Sequence, residues 1–217
     1  MANPPNYARE MEAVLARLAP QVGQKPRLLL HACCGPCSSA VLEQLLAHFE
    51  VTILYYNPNI WPAAEYRRRG DELERFAAAF APAVQVVEDD YDTGRYYEAV
   101  AGLEAEPERG GRCTVCYRMR MEEAARYAAA HGFDWFCTTL SISPHKDAAR
   151  INAIGQELEA QYGVRHLPND FKKKNGYKRS LELSAEYGLY RQDYCGCEFS
   201  ARRAAKEGTP DGPAGTV

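Results

Sequence analysis

Three of the chain's eight cysteines stand within five positions, in His31-Ala32-Cys33-Cys34-Gly35-Pro36-Cys37-Ser38-Ser39. Two further short-spaced sets follow, Cys113-Thr114-Val115-Cys116 and Cys195-Gly196-Cys197. Adjacent thiols and a Cys-Gly-Cys suit disulfide geometry poorly, so these sets do not read as internal bridges. They suit metals. A Cys-x-x-Cys at a helix start is a common half-site for zinc or an iron–sulfur cluster. Seven thiols exceed one tetrahedral zinc site; they fit a four-thiolate cluster plus a second thiolate-bound metal with an open position. The eighth, Cys137, lies in the apolar run Trp135-Phe136-Cys137 and reads as a buried small side chain.

Two rival readings use the same residues. Cys34-Gly35-Pro36-Cys37 matches the dithiol motif of a thioredoxin-like oxidoreductase. Against it stand Cys33 directly before the motif, the missing tryptophan, and two further thiol sets left idle. The other rival is a zinc-stabilised RNA-binding module, in which closed sites contribute on the order of 10 kcal/mol to folding. Neither a P-loop nor a Gly-x-Gly-x-x-Gly is present, which speaks against nucleotide binding.

Other polar groups carry two readings each. Arg165 to Ser180 holds Arg165, Lys172, Lys173, Lys174, Lys178 and Arg179 against Asp170. This is either a solvated surface or a contact to a phosphate backbone beside an active site. Tyr55, Tyr56, Trp61, Tyr177, Tyr190 and Tyr194 flank predicted loops and either fill the core or stack on an extruded base. His31 either orients the first thiol turn or is a satisfied interior histidine. His145, Lys146 and Asp147 open a predicted helix, whose N-terminus either meets phosphate or is merely supported by Asp147.

The elements that position these residues follow from periodicity. Apolar or β-branched runs predict strands at Arg27–Ala32, Val51–Tyr56, Val84–Val87, Trp135–Leu140 and Val164–Leu167. Helical patterns fall at Tyr7–Leu18, from Ala40, at Ala63–Phe80, Tyr96–Ala101, Cys113–Ala130, His145–Tyr162, Ser180–Tyr187 and Phe199–Lys206. Loops are expected at Asn3–Asn6, Gly23–Pro26 and Phe171–Gly176. The alternation predicts an α/β fold with a parallel, doubly wound sheet of about five strands. In such sheets the functional crevice lies at the carboxyl ends of the strands, where the cysteine-rich loops fall. Residues 1–206 read as one domain, and the Gly- and Pro-containing tail 207–217 as disordered.

The 217 residues are 46% hydrophobic and 25% charged, enough for a core without disulfide staples. The net charge of −3 gives no whole-molecule attraction to nucleic acid, so any such partner requires a local basic patch. Neither a targeting segment nor a membrane span is visible, which predicts a cytoplasmic protein with no membrane partner. Free thiols persist in that compartment.

Taken together, four motifs resemble the QueH-type epoxyqueuosine reductases. They are His31-Ala-Cys-Cys-Gly-Pro-Cys-Ser-Ser, Cys113-Thr-Val-Cys116, Thr138-Thr-Leu-Ser-Ile-Ser-Pro144 and Tyr190-Arg-Gln-Asp-Tyr-Cys-Gly-Cys197. The resemblance spans about Arg27 to Arg203. It implies a HUP-like α/β domain and reduction of epoxyqueuosine to queuosine at the tRNA wobble position, without cobalamin. It implies a [4Fe–4S] cluster and a neighbouring mononuclear metal, iron or zinc. Carried over by motif, Cys33, Cys34, Cys113 and Cys116 are expected at the cluster, and Cys37, Cys195 and Cys197 at the second metal. Removing the epoxide oxygen takes two electrons and two protons, so an external electron donor and a proton donor are required. Asp147, His145, Asp170 and Tyr194 are the proton-donor candidates. Lys172, Lys173, Lys174, Lys178 and Arg179 are the expected tRNA contacts.

Overall fold

The computed structural model describes residues 5–18 and 25–207. The loose start at Asn3, the turn at Gly23 and the tail from Gly208 lie outside the described residues. Five strands form one parallel sheet: β1 (Arg27–His31), β2 (Glu50–Tyr55), β3 (Gln85–Glu88), β4 (Trp135–Thr138) and β5 (Arg165–His166). Their order across the sheet is β3-β2-β1-β4-β5. Eight helices accompany them among the described residues: α1 (Tyr7–Leu18), α2 (Gly35–Leu45), α3 (Ala63–Phe80), α4 (Thr93–Ala99), α5 (Gly111–Ala130), α6 (Ala148–Tyr162), α7 (Gly176–Glu186) and α8 (Glu198–Glu207).

The unbroken apolar strand Leu28-Leu29-Leu30 reflects burial on both faces. Leu28 and Leu30 pack with Val41, Leu45, Leu73 and Phe76 of α2 and α3. Leu29, pointing the other way, packs with Met121, Ala125, Ile151 and Leu158 of α5 and α6. Helices therefore cover both sides. The strand order reverses between β1 and β4, which opens a crevice above their carboxyl ends.

Several boundaries differ from the sequence expectation, each for a local reason. Strand β4 ends at Thr138 rather than Leu140, and residues Thr139–Ile142 form a 3₁₀ turn. The Thr138 hydroxyl accepts from Leu140 N–H at 3.2 Å, so the chain turns where the apolar pattern alone continues. Helix α6 starts at Ala148 because Asp147 caps it, accepting from Arg150 N–H at 3.1 Å. Helix α7 starts four residues before the expected Ser180, at Gly176. A Cβ there would stand 1.9 Å from the Phe171 carbonyl oxygen, so only glycine admits this close turn. The basic segment is thereby split between a turn, Lys172–Lys174, and the first turn of a helix. No helix among the described residues is long and apolar enough to cross a membrane.

Candidate metal and active site

The crevice is floored by the turn that leaves β1. Cys34 takes the N-cap position of α2 in extended backbone (φ −176°), with Gly35 and Pro36 opening the helix. Cys33 and Cys37 flank it, so three thiols gather over one helix N-terminus. Their Sγ atoms all lie within 4.8 Å of one another, and Cys33 and Cys34 are 3.7 Å apart. Four thiolates about 2.3 Å from one tetrahedral ion stand about 3.8 Å apart. The spacing fits a single ion, whereas thiolates on separate irons of a cubane stand farther apart.

These thiols share protons unequally. Hydrogen bonds from Cys34 and Cys37 hold Cys33 well below the usual thiol range, despite its burial. The same hydrogen bond to Cys33 pushes Cys34 up to about 12, and Cys37 is raised likewise. An ion would have to displace those protons.

The turn is braced from neighbouring strands. His31, fully buried, meets Thr138 Oγ1 through Nδ1 at 2.8 Å and the Tyr56 carbonyl through Nε2 at 3.1 Å. A carbonyl only accepts, so Nε2 carries the proton and Nδ1 accepts from the Thr138 hydroxyl. Burial, and then the Arg120 charge, lower the His31 pKa to about 4 and keep it neutral. Asn57 Nδ2 donates to the Ala32 carbonyl at 2.8 Å, tying the β2 loop to the same turn.

The remaining four thiols form a second group. Cys113 and Cys116 lie in the first two turns of α5, and Cys195 and Cys197 come close enough for their charges to act on both. Cys116 and Cys197 pack together against Tyr96 and Val100. Burial pushes Cys116 up to about 12, and the charges of Cys195 and Cys197 add to that rise. Cys113 is raised by burial too, opposed by a hydrogen bond from Arg109 N–H at 3.3 Å. Gly196 adopts φ +118°, and its carbonyl accepts from Trp61 N–H at 2.8 Å, which anchors the loop.

Three buried cations surround the thiols. Arg120 is attracted to Cys116, Cys195 and Cys33. Arg69 is attracted to Cys34 and Cys33, and pairs with Glu65 at 2.7 Å. Lys146 donates to Cys195 Sγ at 2.6 Å. The Nη2 atoms of Arg69 and Arg120 are buried with no hydrogen-bond partner among the described residues. Buried guanidinium N–H groups left unpaired beside thiols are what an anionic thiolate-held group would satisfy. Seven thiols, their grouping and these orphaned donors fit a cluster and a single metal ion.

A cavity of about 320 Å³ opens above both groups, with Cys33, Cys37 and Cys195 in its wall. Of the four expected proton donors, His145 and Tyr194 line it, and Asp147 and Asp170 do not. Asp147 is committed to the α6 cap, and Asp170 pairs with Lys172 at 2.5 Å. Lys146, expected only as part of a helix start, and Arg191 and Gln192, present in the Tyr190–Cys197 motif but given no role of their own, all line the cavity. Gln192 donates to Cys34 Sγ at 3.2 Å. Its position two and three residues from Tyr194 and Cys195 was the available signal.

The expected RNA-contacting cations are largely matched by local carboxylates. Lys172 pairs with Asp170, Lys174 with Glu12, Lys178 with Glu182, and Arg179 with Glu43 at 2.7 Å. Tyr177, on the same helix turn, reaches the cavity wall. Cys137 is buried in β4, with its pKa raised by burial, as its apolar surroundings predict.

A doubly wound α/β fold with thiols gathered at the switch-point crevice defines a thiol-rich α/β protein with a candidate metal site. Residues 28–203 match the family model described as "Epoxyqueuosine reductase QueH". Proteins carrying that same name include one from Streptococcus pyogenes serotype M1, 42% identical over 201 residues, covering 91% of this chain and 78% of the relative. One from Haemophilus influenzae is 43% identical over 182 residues (83% and 74%). One from Thermotoga maritima is 34% identical over 174 residues (80% and 89%). The chain belongs to the epoxyqueuosine reductase QueH family.

Proposed function

We propose that this chain removes the epoxide oxygen of epoxyqueuosine in the anticodon wobble position of tRNA, yielding queuosine. Two electrons and two protons enter, the C–O bonds of the epoxide break, and the oxygen leaves as water while an alkene forms. The observation that carries this reading is the cavity whose wall includes thiols of both groups, Cys33 and Cys37 on one side and Cys195 on the other. A base held there lies beside Cys33 and Cys37 of one thiol group and Cys195 of the other.

In this reading Cys113, Cys116, Cys195 and Cys197 hold the [4Fe–4S] cluster. Cys33, Cys34 and Cys37 hold the mononuclear ion. This partition departs from the motif-based expectation, because the three clustered thiols have single-ion spacing. Three thiolates leave a tetrahedral ion one open position, and thiolate ligands suit iron or zinc. When bound, the cluster would supply single electrons and the ion Lewis acidity toward the epoxide oxygen.

The chain's own residues then bind and protonate. Tyr177 and Tyr194 line the cavity, and Arg191 contributes a cation to its wall. Of the candidate donors to the departing oxygen, His145 and Tyr194 line the cavity; the Tyr194 hydroxyl donates to the Trp61 carbonyl at 2.8 Å and would have to leave it, which favours His145. The Lys172–Arg179 segment carries the tRNA backbone by exchanging the exposed ion pairs of Lys174, Lys178 and Arg179 for phosphates, an exchange that costs little because such pairs are weak. An external donor restores the electrons after turnover.

Expression of the chain in cells that accumulate epoxyqueuosine tests the proposal. Nucleoside mass spectrometry of bulk tRNA should show queuosine replacing epoxyqueuosine. Persistence of epoxyqueuosine with the chain present, folded and metal-loaded would overturn it.

A further inference from the structure

We propose that Lys146 is a positioning residue that sets how readily the thiolate-held group at Cys195 accepts an electron. The inference rests on the reading that Cys195 is a cluster ligand.

The Lys146 side chain enters the site from the turn between the 3₁₀ segment and α6. Its backbone is fixed by a hydrogen bond from its N–H to the Ser143 carbonyl at 3.2 Å. The residue is 9% exposed. Its Nζ lies 2.6 Å from Cys195 Sγ and 5.6 Å from the centre of the Tyr117 ring. A buried ammonium is costly unless an anion faces it, and as a cluster ligand the Cys195 sulfur would be that anion.

A positive N–H donor on a ligating sulfur withdraws negative charge from the group behind it. Hydrogen bonds to sulfur and local charge are among the terms that set the potential of an iron–sulfur centre. Adding an electron adds negative charge, so Lys146 favours the reduced form. The residue also lines the substrate cavity. The same ammonium therefore stands between the electron source and the base to be reduced. Arg120, buried behind Cys116, carries no comparable bond to a thiol; its Nε donates to the Cys116 carbonyl at 3.2 Å.

The test is a spectroelectrochemical titration of anaerobically loaded protein, comparing wild type with Lys146→Met, Lys146→Gln and Lys146→Arg. Removing the cation in Lys146→Met should lower the midpoint by about 59 mV or more, a tenfold change in the reduced-to-oxidised ratio for a one-electron couple. Lys146→Gln should fall between, and Lys146→Arg should stay near wild type. An unchanged midpoint in loaded Lys146→Met would overturn the proposal. So would a folded Lys146→Met or Lys146→Gln protein that loads no cluster, since Lys146 would then serve assembly. Wild-type protein without iron and sulfide, even after anaerobic reconstitution, would instead refute the cluster reading on which the inference rests.

Discussion

Replacing Cys37 and Cys197 separately by alanine distinguishes the two ways of dividing the seven thiols. In the structure Cys37 shares a 4.8 Å sphere with Cys33 and Cys34, while Cys197 packs with Cys116. Three sulfurs at single-ion spacing should hold one metal, and the other four should hold a cluster of about four irons and four sulfides. Cys37→Ala then leaves two thiolates for the ion. It should lower total metal from about five to about four per chain, with sulfide unchanged near four. Cys197→Ala removes a cluster corner beside the buried Tyr96 and should reduce both iron and acid-labile sulfide. The assay is metal analysis with sulfide determination and an absorption spectrum on anaerobically reconstituted protein. Parallel loss of one metal in both variants, with sulfide intact in both, would restore the division expected from the motifs. It would refute the argument from thiol spacing.

Further outcomes follow from residues away from the thiols. His166 is 3% exposed, neither ring nitrogen has a partner, and burial pushes it down to about 3. The unfolded chain therefore takes up a proton near pH 6.5 that the folded chain refuses, so stability falls as pH drops from 6.5 toward 3. Between pH 7.5 and 5 this amounts to about 2 kcal/mol, and His166→Leu should lose that much less on chemical denaturation; equal losses would contradict it. Gly155→Ala places a methyl 2.4 Å from the His166 ring and should destabilise by about 1–3 kcal/mol, read as a lowered denaturation midpoint. Changing Lys172, Lys173 and Lys174 together to Ala should weaken tRNA binding and flatten its salt dependence by roughly 0.7–0.9 log units per lost phosphate contact. An unchanged slope removes that turn from the interface.

The sheet was legible because strands buried on both faces leave unbroken apolar runs, as in Leu28-Leu29-Leu30. The placement of the thiol sets at the strand ends followed from the same pattern. What periodicity could not show was where side chains redirect the backbone. The Thr138 hydroxyl ends β4 early, and Asp147 delays α6 while leaving Lys146 in the turn before it. Lys146 was therefore read as part of a helix start rather than as a partner of Cys195, 49 residues away. The basic run was visible as composition, but its carboxylate partners Glu12 and Glu43 lie on other helices. The division of the thiols also depends on long-range packing, since spacing along the chain says nothing about which short sets converge.

The most direct measurement is a single-turnover assay with anaerobic, dithionite-reduced, metal-loaded protein and tRNA carrying epoxyqueuosine. Digestion and mass spectrometry should show a nucleoside lighter by one oxygen at the wobble position, in proportion to loaded protein. Unaltered epoxyqueuosine, under conditions where a QueH relative converts the same tRNA, would contradict the assignment of this chain's activity.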